Sequence, residues 1–367
     1  MEHEQIAARL RLALEHEAAR HELSAGAWPQ LQGRLGRQAW RRRGIAAACL
    51  AIAVAAATAA ALLLPSSSSP PVSHPHHRPA PQLVIVSRTD LGRPISKVAA
   101  GYGGVWIVGP GLIYRVDPAT GRKVATISVP GTNEITSGIC TGVGSVWVTS
   151  GGDHRGIYRI DPRRNRVTSF IRLPLVPTSI AVAYGRAWAT VPRQGPGIVE
   201  RIDPHTNRVS GSPIHVGASP GGVVALAGGL WITSGSGYST LTRINPATGA
   251  VTRSVPNIVN IYAAGAGSLW VTRVRGGILR LDPATGKVTA TIPLPHAVDV
   301  TFWAGSAWAS NDQAGTIVRI DPASNQVIGK PVRAGTTPIY IASSPSGLWV
   351  VNADTGNLLH LARPGAK

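Results

Sequence analysis

Acidic residues and cysteine are scarce in this chain of 367 residues. It has 17 Asp and Glu against 36 Lys and Arg, a formal net charge of +19, and residues 82–367 contain two glutamates, Glu134 and Glu200. This shortage leaves few carboxylates for acid–base catalysis or for binding a metal. The two cysteines are Cys49 and Cys140, so residues 82–367 cannot form an internal disulfide.

Common enzyme motifs are also missing. The sequence has no Gly-rich phosphate loop, no Cys-rich metal spacing and no H-E-x-x-H. The stretch His74-Pro75-His76-His77 has metal-binding side chains, but it lies in a Ser- and Pro-rich segment that is typical of a linker. We therefore expect no cofactor and no dedicated metal site.

What the sequence does contain is a long internal repeat. Seven tryptophans recur at intervals of 38 to 43 residues: Trp106, Trp147, Trp188, Trp231, Trp270, Trp308 and Trp349. Between successive tryptophans lies a turn that begins Asp-Pro or Asn-Pro, at residues 117, 161, 203, 245, 282 and 321. This period is typical of β-propeller blades, in which a Trp fills the space between neighbouring blades. We predict an all-β fold: a seven-bladed β-propeller of four-stranded blades over residues 82–367, preceded by a single transmembrane helix.

The chain ends one strand short of a complete last blade. After Trp349 there is a third strand, residues 358–361, and no fourth. An unassigned strand, residues 82–87, precedes the first complete unit. We predict that it supplies the outer strand of the last blade, which closes the ring and removes exposed sheet edges.

The N-terminal part predicts a membrane anchor. Residues 1–43 are polar with a short amphipathic helix, and residues 44–64 are 21 uncharged residues, 11 of them Ala. At 1.5 Å per residue this segment spans roughly 31 Å, about one hydrocarbon core. Arg41, Arg42 and Arg43 place the tail in the cytoplasm. Residues 65–81 then form a linker to an extracytoplasmic propeller. A cleaved signal peptide remains the alternative.

The positive charge does not by itself indicate nucleic-acid binding. Residues 82–367 carry 27 Lys and Arg against 12 Asp and Glu. Six of these arginines recur two residues before the turn: Arg115, Arg159, Arg201, Arg243, Arg280 and Arg319. Their stems are expected to cover apolar surface while the guanidinium stays in water. We expect no nucleic-acid partner and some attraction to an anionic wall polymer or lipid head group.

Comparison of the blades with one another suggests a ligand site. The residues just before each first strand should surround the mouth of the central channel, and they form what we call the channel rim: Lys97, Gly138, Ser179, Gly222, Ile261, Asp299 and Tyr340. Lys97 and Asp299 are the only charged members, so they predict either a structural ion pair or a ligand contact. Further ligand-binding candidates lie on the loops of the same face: His154, Arg155, Arg193, Tyr238, Arg273, Arg275, Asp312 and Asp354. Glu134 and His296 are weak catalytic candidates. Glu200 lies next to the repeated arginine on a third strand, and we expect it to face solvent.

The repeated units G-x-V-W-V, R-I-D-P-A-T-G-K-V and V-G-x-x-P resemble the YVTN-type repeats and the streptogramin lyase-like seven-bladed propellers of bacteria. The resemblance implies the propeller fold. The lyases of that group open a cyclic depsipeptide ester by elimination, with His and Glu residues and a bound Mg²⁺. The propeller histidines of this sequence do not pair with acids in a matching pattern, so the resemblance assigns no catalytic residue.

These features together predict a membrane-anchored, extracytoplasmic binding or scaffold module with a monomeric propeller. Its partner would be a small polar ligand, an envelope polymer or a protein. One alternative is a streptogramin lyase-like carbon–oxygen lyase or hydrolase that uses Mg²⁺. A second is a transmembrane regulator with the layout of an anti-sigma factor, since the chain has a short cytoplasmic tail, one span and an external domain.

Overall fold

The structure is a computed structural model, and it describes residues 82–365 except 133–137, 236–239, 257–262 and 274–276. Every regular element in these ranges is a β-strand. The predicted tail helix, membrane span and linker lie outside the described residues. Within the described residues, no helix has the length and apolar character needed to cross a membrane.

The strands form seven antiparallel sheets, which are the blades of a propeller. Blade 1 contains β2 (Val98–Gly101), β3 (Gly104–Gly109), β4 (Leu112–Val116) and β5 (Lys123–Ser128). Blade 2 contains β6 (Ile139–Gly142), β7 (Ser145–Ser150), β8 (Gly156–Asp161) and β9 (Arg166–Arg172). Blade 3 contains β10 (Ser179–Ala183), β11 (Arg186–Val191), β12 (Pro196–Asp203) and a broken outer strand, β13 (Arg208–Val209) and β14 (Ile214–Ala218).

The remaining blades repeat this arrangement. Blade 4 contains β15 (Val223–Leu226), β16 (Gly229–Ser234), β17 (Thr240–Ile244) and β18 (Val251–Pro256). Blade 5 contains β19 (Ala263–Gly265), β20 (Ser268–Arg273), β21 (Gly277–Leu281) and β22 (Val288–Ile292). Blade 6 contains β23 (Ala297–Trp303), β24 (Ser306–Asn311), β25 (Thr316–Asp321) and a broken outer strand, β26 (Gln326–Val327) and β27 (Val332–Arg333). Blade 7 contains β28 (Pro338–Ser344), β29 (Gly347–Asn352) and β30 (Asn357–Ala362), with β1 (Val84–Asp90) on its outside.

The predicted closure of the ring is confirmed. Strand β1 pairs antiparallel with β30, from Val84 opposite Ala362 to Asp90 opposite Asn357. The strand begins and ends slightly later than the expected residues 82–87. Leu83 packs in the apolar cluster between blades 6 and 7, and Leu91 in the cluster between blades 7 and 1. The N-terminal segment therefore contributes core side chains on both sides of β1 as well as the backbone pairing of the strand itself.

Each tryptophan on the second strand of a blade packs against the following blade. Trp147 of blade 2, for example, lies in one cluster with Ile180 and Ala189 of blade 3. In blades 1, 2, 3, 5 and 6 the indole Nε1 donates to the carbonyl oxygen five residues earlier, at 3.0 to 3.2 Å. The buried indole is thus satisfied inside its own blade while its rings fill the gap to the next one.

The repeated arginines do more than cover apolar surface. In blades 1, 2, 5 and 6 the guanidinium lies 5.1 to 5.8 Å from the centroid of its own blade's Trp ring. Arg115 then donates to Pro162 O at 2.8 Å and to Asn165 Oδ1 at 2.7 Å, both in the turn of blade 2. Contrary to the expectation of a solvated head group, this guanidinium joins two blades.

Whether an arginine reaches the next blade depends on one residue of the turn it faces. Arg159 and Arg280 donate to the Pro carbonyl and to the Asn side chain of turns that end in Asn207 and Asn325. Arg201 and Arg243 face turns that end in Gly, and they donate to groups of their own blades instead. Asn and Gly both adopt the left-handed backbone that this position requires, but Asn alone supplies an acceptor.

This difference predicts unequal effects of the same substitution. Lysine keeps the charge and the aliphatic stem, but it cannot stack on the Trp147 ring and donate to both Pro204 O and Asn207 Oδ1 as the guanidinium does. Arg159→Lys should therefore lower the free energy of unfolding by about 1–2 kcal/mol. Arg201→Lys is the matched control and should cost less than about 0.5 kcal/mol, because its cross-blade contact is missing. Urea unfolding of the full chain measures both values, and equal losses would contradict the role of the Asn turn.

Candidate functional site

The blade topology separates two faces of the propeller. The first strands of successive blades contact one another around the axis, and each begins at the channel rim. Loops between second and third strands, and connections between blades, lie on this rim face. Turns between first and second strands, and the Asp-Pro turns, lie on the opposite face, because consecutive strands are antiparallel. The predicted ligand candidates among the described residues therefore share the rim face.

The structure brings two of the rim candidates into direct contact. Lys97 of blade 1 places its Nζ 3.5 Å from the centroid of the Tyr340 ring of blade 7. This is a cation–π contact, which holds the ammonium in place without neutralising it. Both side chains are half-buried. They form a pair at the mouth of the channel, and we call it the Lys97–Tyr340 pair.

Asp299, the third candidate on this side of the rim, is buried and bonded to backbone. Its Oδ1 accepts the amide of Val300 at 2.8 Å and its Oδ2 accepts the amide of Ile341 at 3.0 Å. Its own amide donates to Ser310 Oγ, which in turn donates to Ile339 O at 2.7 Å. Asp299 therefore ties blade 6 to blade 7, which is a structural role.

Burial also changes the ionisation of this carboxyl group. Desolvation raises the pKa of Asp299 from 3.8 to about 6, against the opposing effects of the Ile341 amide, the Lys97 charge and the Val300 amide. The expected ion pair with Lys97 is not found. Arg164 and Asp161 do form an ion pair, at 2.9 Å. The ammonium of Lys97 is thus left without a carboxylate in contact.

Sequence reasoning missed a belt of buried hydroxyl groups beneath the rim. They stand two residues after the Trp in five blades, and we call them the hydroxyl belt: Thr149, Thr190, Thr233, Thr272 and Ser310. Three of them donate to a carbonyl of the next blade, at 2.7 to 3.3 Å. Blades 1 and 7 have Val108 and Val351 at this position, next to the Lys97–Tyr340 pair. The repeat period would have revealed this pattern.

The other loop candidates are spread around the face. His154 Nδ1 lies 3.0 Å from the Tyr158 hydroxyl, and Arg155 donates to Pro174 O at 3.4 Å, both within blade 2. The Asp354 carboxylate accepts the Thr337 hydroxyl, and the Asp312 carboxylate accepts the Gln313 amide. Arg193 and Arg273 are exposed. Tyr238 and Arg275 lie outside the described residues.

The described residues include one of the two weak catalytic candidates, His296. His296 begins blade 6 in a left-handed backbone conformation, with φ of 61°, and no hydrogen bond joins it to Asp299. Glu134 lies outside the described residues. Across the part of the chain that the structure describes, no three His, Cys, Asp or Glu side chains come together as metal ligands. These residues do not fit a Mg²⁺ ion, so we derive no metal-assisted step.

Glu200 lies elsewhere than expected. The sequence suggested a solvent-facing side chain on the third strand of blade 3, but Glu200 is 5% exposed and stands between Ile198 and Ile202, which pack toward blade 2. Burial raises its carboxyl pKa, while the charges of Arg201 and Arg193 lower it. The equivalent residues of blades 1 and 2 are Tyr114 and Tyr158, also buried. Burial at this position is therefore a property of the repeat.

Comparison with solved structures confirms the class of fold. Virginiamycin B lyase from Staphylococcus aureus matches with a TM-score of 0.61 at 18% identity, over 77% of this chain and 99% of that one. The WD40 β-propeller domain of Doa1 matches with a TM-score of 0.64 at 10% identity, over 78% and 98%. Hydrazine synthase from Kuenenia stuttgartiensis matches with a TM-score of 0.57 at 12% identity, over 77% and 98%.

These likenesses define a streptogramin lyase-like β-propeller in the sense of fold. No protein-family model matches the chain, and no curated protein sequence is significantly similar to it. The activity named for the Staphylococcus aureus enzyme belongs to that protein.

The buried Asp299 predicts an unusual pH dependence of stability. Because its pKa in the folded chain lies above the unfolded value of about 3.9, the folded state binds the proton more tightly between about pH 4 and 6. Its contribution to the free energy of unfolding therefore falls as the pH rises through this window. Asp299→Asn should remove that slope, and it should also cost about 1–3 kcal/mol, because one backbone amide then faces an NH₂ group.

The measurement is urea unfolding of the full chain at pH 4, 5, 6 and 7. Asp312→Asn serves as the control, since that carboxylate is not as deeply buried and accepts the neighbouring Gln313 amide. An Asp299→Asn variant with the same slope as the wild type between pH 4 and 6 would contradict the assignment.

Proposed function

We propose that the propeller is a binding module whose rim face takes a ligand with an anionic group. The single observation that supports this most strongly is the Lys97–Tyr340 pair. The ammonium is fixed over the ring at 3.5 Å, while the nearby carboxylate of Asp299 is already bonded to two backbone amides. An ammonium has three donors, and a ligand carboxylate or phosphate would satisfy those that face the channel mouth.

The charge of the surrounding face favours the same class of ligand. Arg155, Arg193 and Arg273 are exposed on loops of the rim face. Residues 82–367 have 15 more basic than acidic residues, which raises the local concentration of anions and speeds their association. A polyanion of the cell envelope would contact Lys97 at the channel and these arginines at the periphery.

The lyase alternative depends on groups that the described residues do not assemble. Elimination of an ester needs a base near the reacting carbon, and His296 is the candidate at the rim. Its support is the likeness in fold to virginiamycin B lyase, and that likeness does not extend to activity. The lyase alternative is one of the outcomes that the binding experiment and ester assay distinguish.

We further propose that the chain is anchored in the cell membrane with the propeller outside. Support comes from the sequence: Arg41 to Arg43 precede the 21 uncharged residues 44–64. This location would present the rim face to envelope polymers, external small molecules or membrane proteins. The regulatory alternative uses the same layout, with ligand binding outside and a response through residues 1–43.

Binding at the rim predicts a site-specific loss in one variant. Lys97→Gln should weaken binding of an oligogalacturonate, a carboxylated probe, by about tenfold or ~1.4 kcal/mol, while the methyl ester of the same oligomer binds poorly to both proteins. Lys330→Gln is the control, since it removes the same charge between β26 and β27. Titration calorimetry of the full chain at two salt concentrations measures the effect.

The outcomes separate the alternatives. Equal losses in Lys97→Gln and Lys330→Gln would indicate nonspecific attraction and contradict a rim site. The same protein is assayed for opening of a cyclic depsipeptide ester with Mg²⁺ present. Turnover of the ester that is abolished by His296→Ala would support the lyase function and contradict a binding module without activity.

The anchor predicts a defined pattern of protection. Protease added to intact spheroplasts should digest the propeller and leave an epitope in residues 1–43 intact, because the membrane shields the cytoplasmic side. Lysed spheroplasts are the control and should lose both. Recovery of a secreted propeller that lacks residues 1–60 would support the signal-peptide alternative instead.

A further inference from the structure

A cleft of about 730 Å³ opens between blades 7 and 1, on the face opposite the channel rim. Its lining includes Val86 of β1, Tyr102 and Pro118 of blade 1, and Ser344, Ser346 and His360 of blade 7. The volume is in the range of small-molecule sites. None of the proposed rim residues lines this cleft.

Three of the other junctions between blades have an arginine in the equivalent place. Between blades 1 and 2, 2 and 3, and 5 and 6, an arginine lies over its Trp ring and donates to the carbonyl of the proline in the next turn. Arg115 also donates to Gly103 O in the first turn of its own blade, at 3.1 Å. Three junctions thus hold a guanidinium between an aromatic ring and the turn of the next blade.

Between blades 7 and 1 the arginine is replaced by histidine. His360 stands at the same strand position and stacks on Trp349, with centroids 4.1 Å apart and an interplanar angle of 5°. Its Nε2 lies 3.2 Å from Ser346 O, which corresponds to Gly103 O of blade 1. The imidazole therefore reproduces the stacking and the contact within the blade, but it is too short to reach blade 1.

The opposing turn also lacks its usual partner. Pro118 O, which corresponds to the proline carbonyls that accept a guanidinium elsewhere, accepts the Ser346 hydroxyl at 3.2 Å. The turn ends in Gly121, which has no side-chain acceptor. Six blades join their first two strands through a pair of left-handed residues ending in Gly, but blade 7 has Pro345-Ser346 there. These differences together leave the guanidinium position open to solvent.

The chemistry of the lining suits a cationic donor group. Its polar atoms include the carbonyls of Pro118 and Ser346 and the Ser344 hydroxyl, which also accepts the Trp349 indole at 3.0 Å. Burial lowers the pKa of His360, so its ring is neutral at neutral pH, and no Lys or Arg lines this part of the described chain. Val86 and Tyr102 provide apolar walls for an aliphatic stem.

We propose that this cleft binds the side chain of an arginine presented by a peptide ligand, with the guanidinium in the position that Arg115, Arg159 and Arg280 fill at other junctions. The peptide source is favoured by β1, the edge strand of blade 7. Val84, Ile85 and Val86 are 39 to 42% exposed on it, and Val86 reaches the cleft. An extended peptide can pair with such an edge while one side chain enters the adjacent pocket.

The test uses the full chain and N-acetyl-Ala-Arg-Ala-amide as the probe, with the same peptide containing citrulline or lysine in place of arginine. Citrulline has nearly the same shape without the charge, and lysine has the charge without the planar donors. We expect the arginine peptide to bind at least tenfold more tightly than either. Free N-acetyl-arginine amide should bind more weakly than the tripeptide, which distinguishes a peptide site from a small-molecule site.

Two variants locate the site. His360→Arg should fill the cleft from within and weaken binding of the arginine peptide at least tenfold. His215→Arg, on an exposed position of β14, is the matched control and should leave that binding unchanged. Ser346→Ala removes the hydroxyl that now bonds to Pro118 O, so it should tighten binding.

Several results would overturn the proposal: arginine and citrulline peptides of equal affinity, unchanged binding in His360→Arg, or unchanged or weaker binding in Ser346→Ala. If His360→Arg does not fold, the Ser346→Ala result decides. Lys97→Gln should bind the arginine peptide as the wild type does. The experiments therefore distinguish a failure of the proposed rim site from a failure of the proposed cleft site.

Discussion

The structure depends on burying each blade against the next one. A four-stranded blade has two apolar faces and no core of its own, so the Trp of its second strand must insert into the following blade. Removal of one such indole from a core typically costs about 3–5 kcal/mol, a large fraction of the stability of a domain. Only a closed ring satisfies every blade, and β1 on blade 7 completes it by joining the two ends of the propeller.

In the closed ring, similar polar contacts recur at several junctions between blades, and the junctions that lack them stand out. The arginine contacts and the hydroxyl belt both change at blades 7 and 1, where His360 replaces the repeated arginine and Val108 and Val351 replace the Thr or Ser of the belt. The Lys97–Tyr340 pair and the cleft lie at this same junction, on opposite faces. The junction that joins the chain ends is thus the least regular part of the ring and carries both proposed binding sites.

The fold could be predicted from the sequence because its main determinants recur every 38 to 43 residues. The closeness of Lys97 and Tyr340 also followed from their equivalent positions in adjacent blades. Two properties could not be predicted from a residue and its neighbours in sequence. The hydrogen-bond partners of each guanidinium depend on whether a turn about 50 residues away ends in Asn or Gly. The Asp299 carboxylate accepts the amide of Ile341, which belongs to the next blade. Glu200 was placed wrongly because its charge was weighed above its repeat position, which is buried in other blades as well.

Each repeated arginine is matched to the turn of the following blade, and this limits how freely the blades can be exchanged. Blades of one period look interchangeable, yet blade 3 presents Asn207 to Arg159, whereas blade 4 presents Gly249 to Arg201. Exchanging these two blades would keep every strand and every tryptophan in place. It would nevertheless leave Arg159 without its side-chain acceptor, because Arg159 would then face Gly249. The order of the blades is therefore encoded in the side chains at their borders. A propeller with exchanged blades would keep its shape but would have weaker contacts between blades and a lower free energy of unfolding.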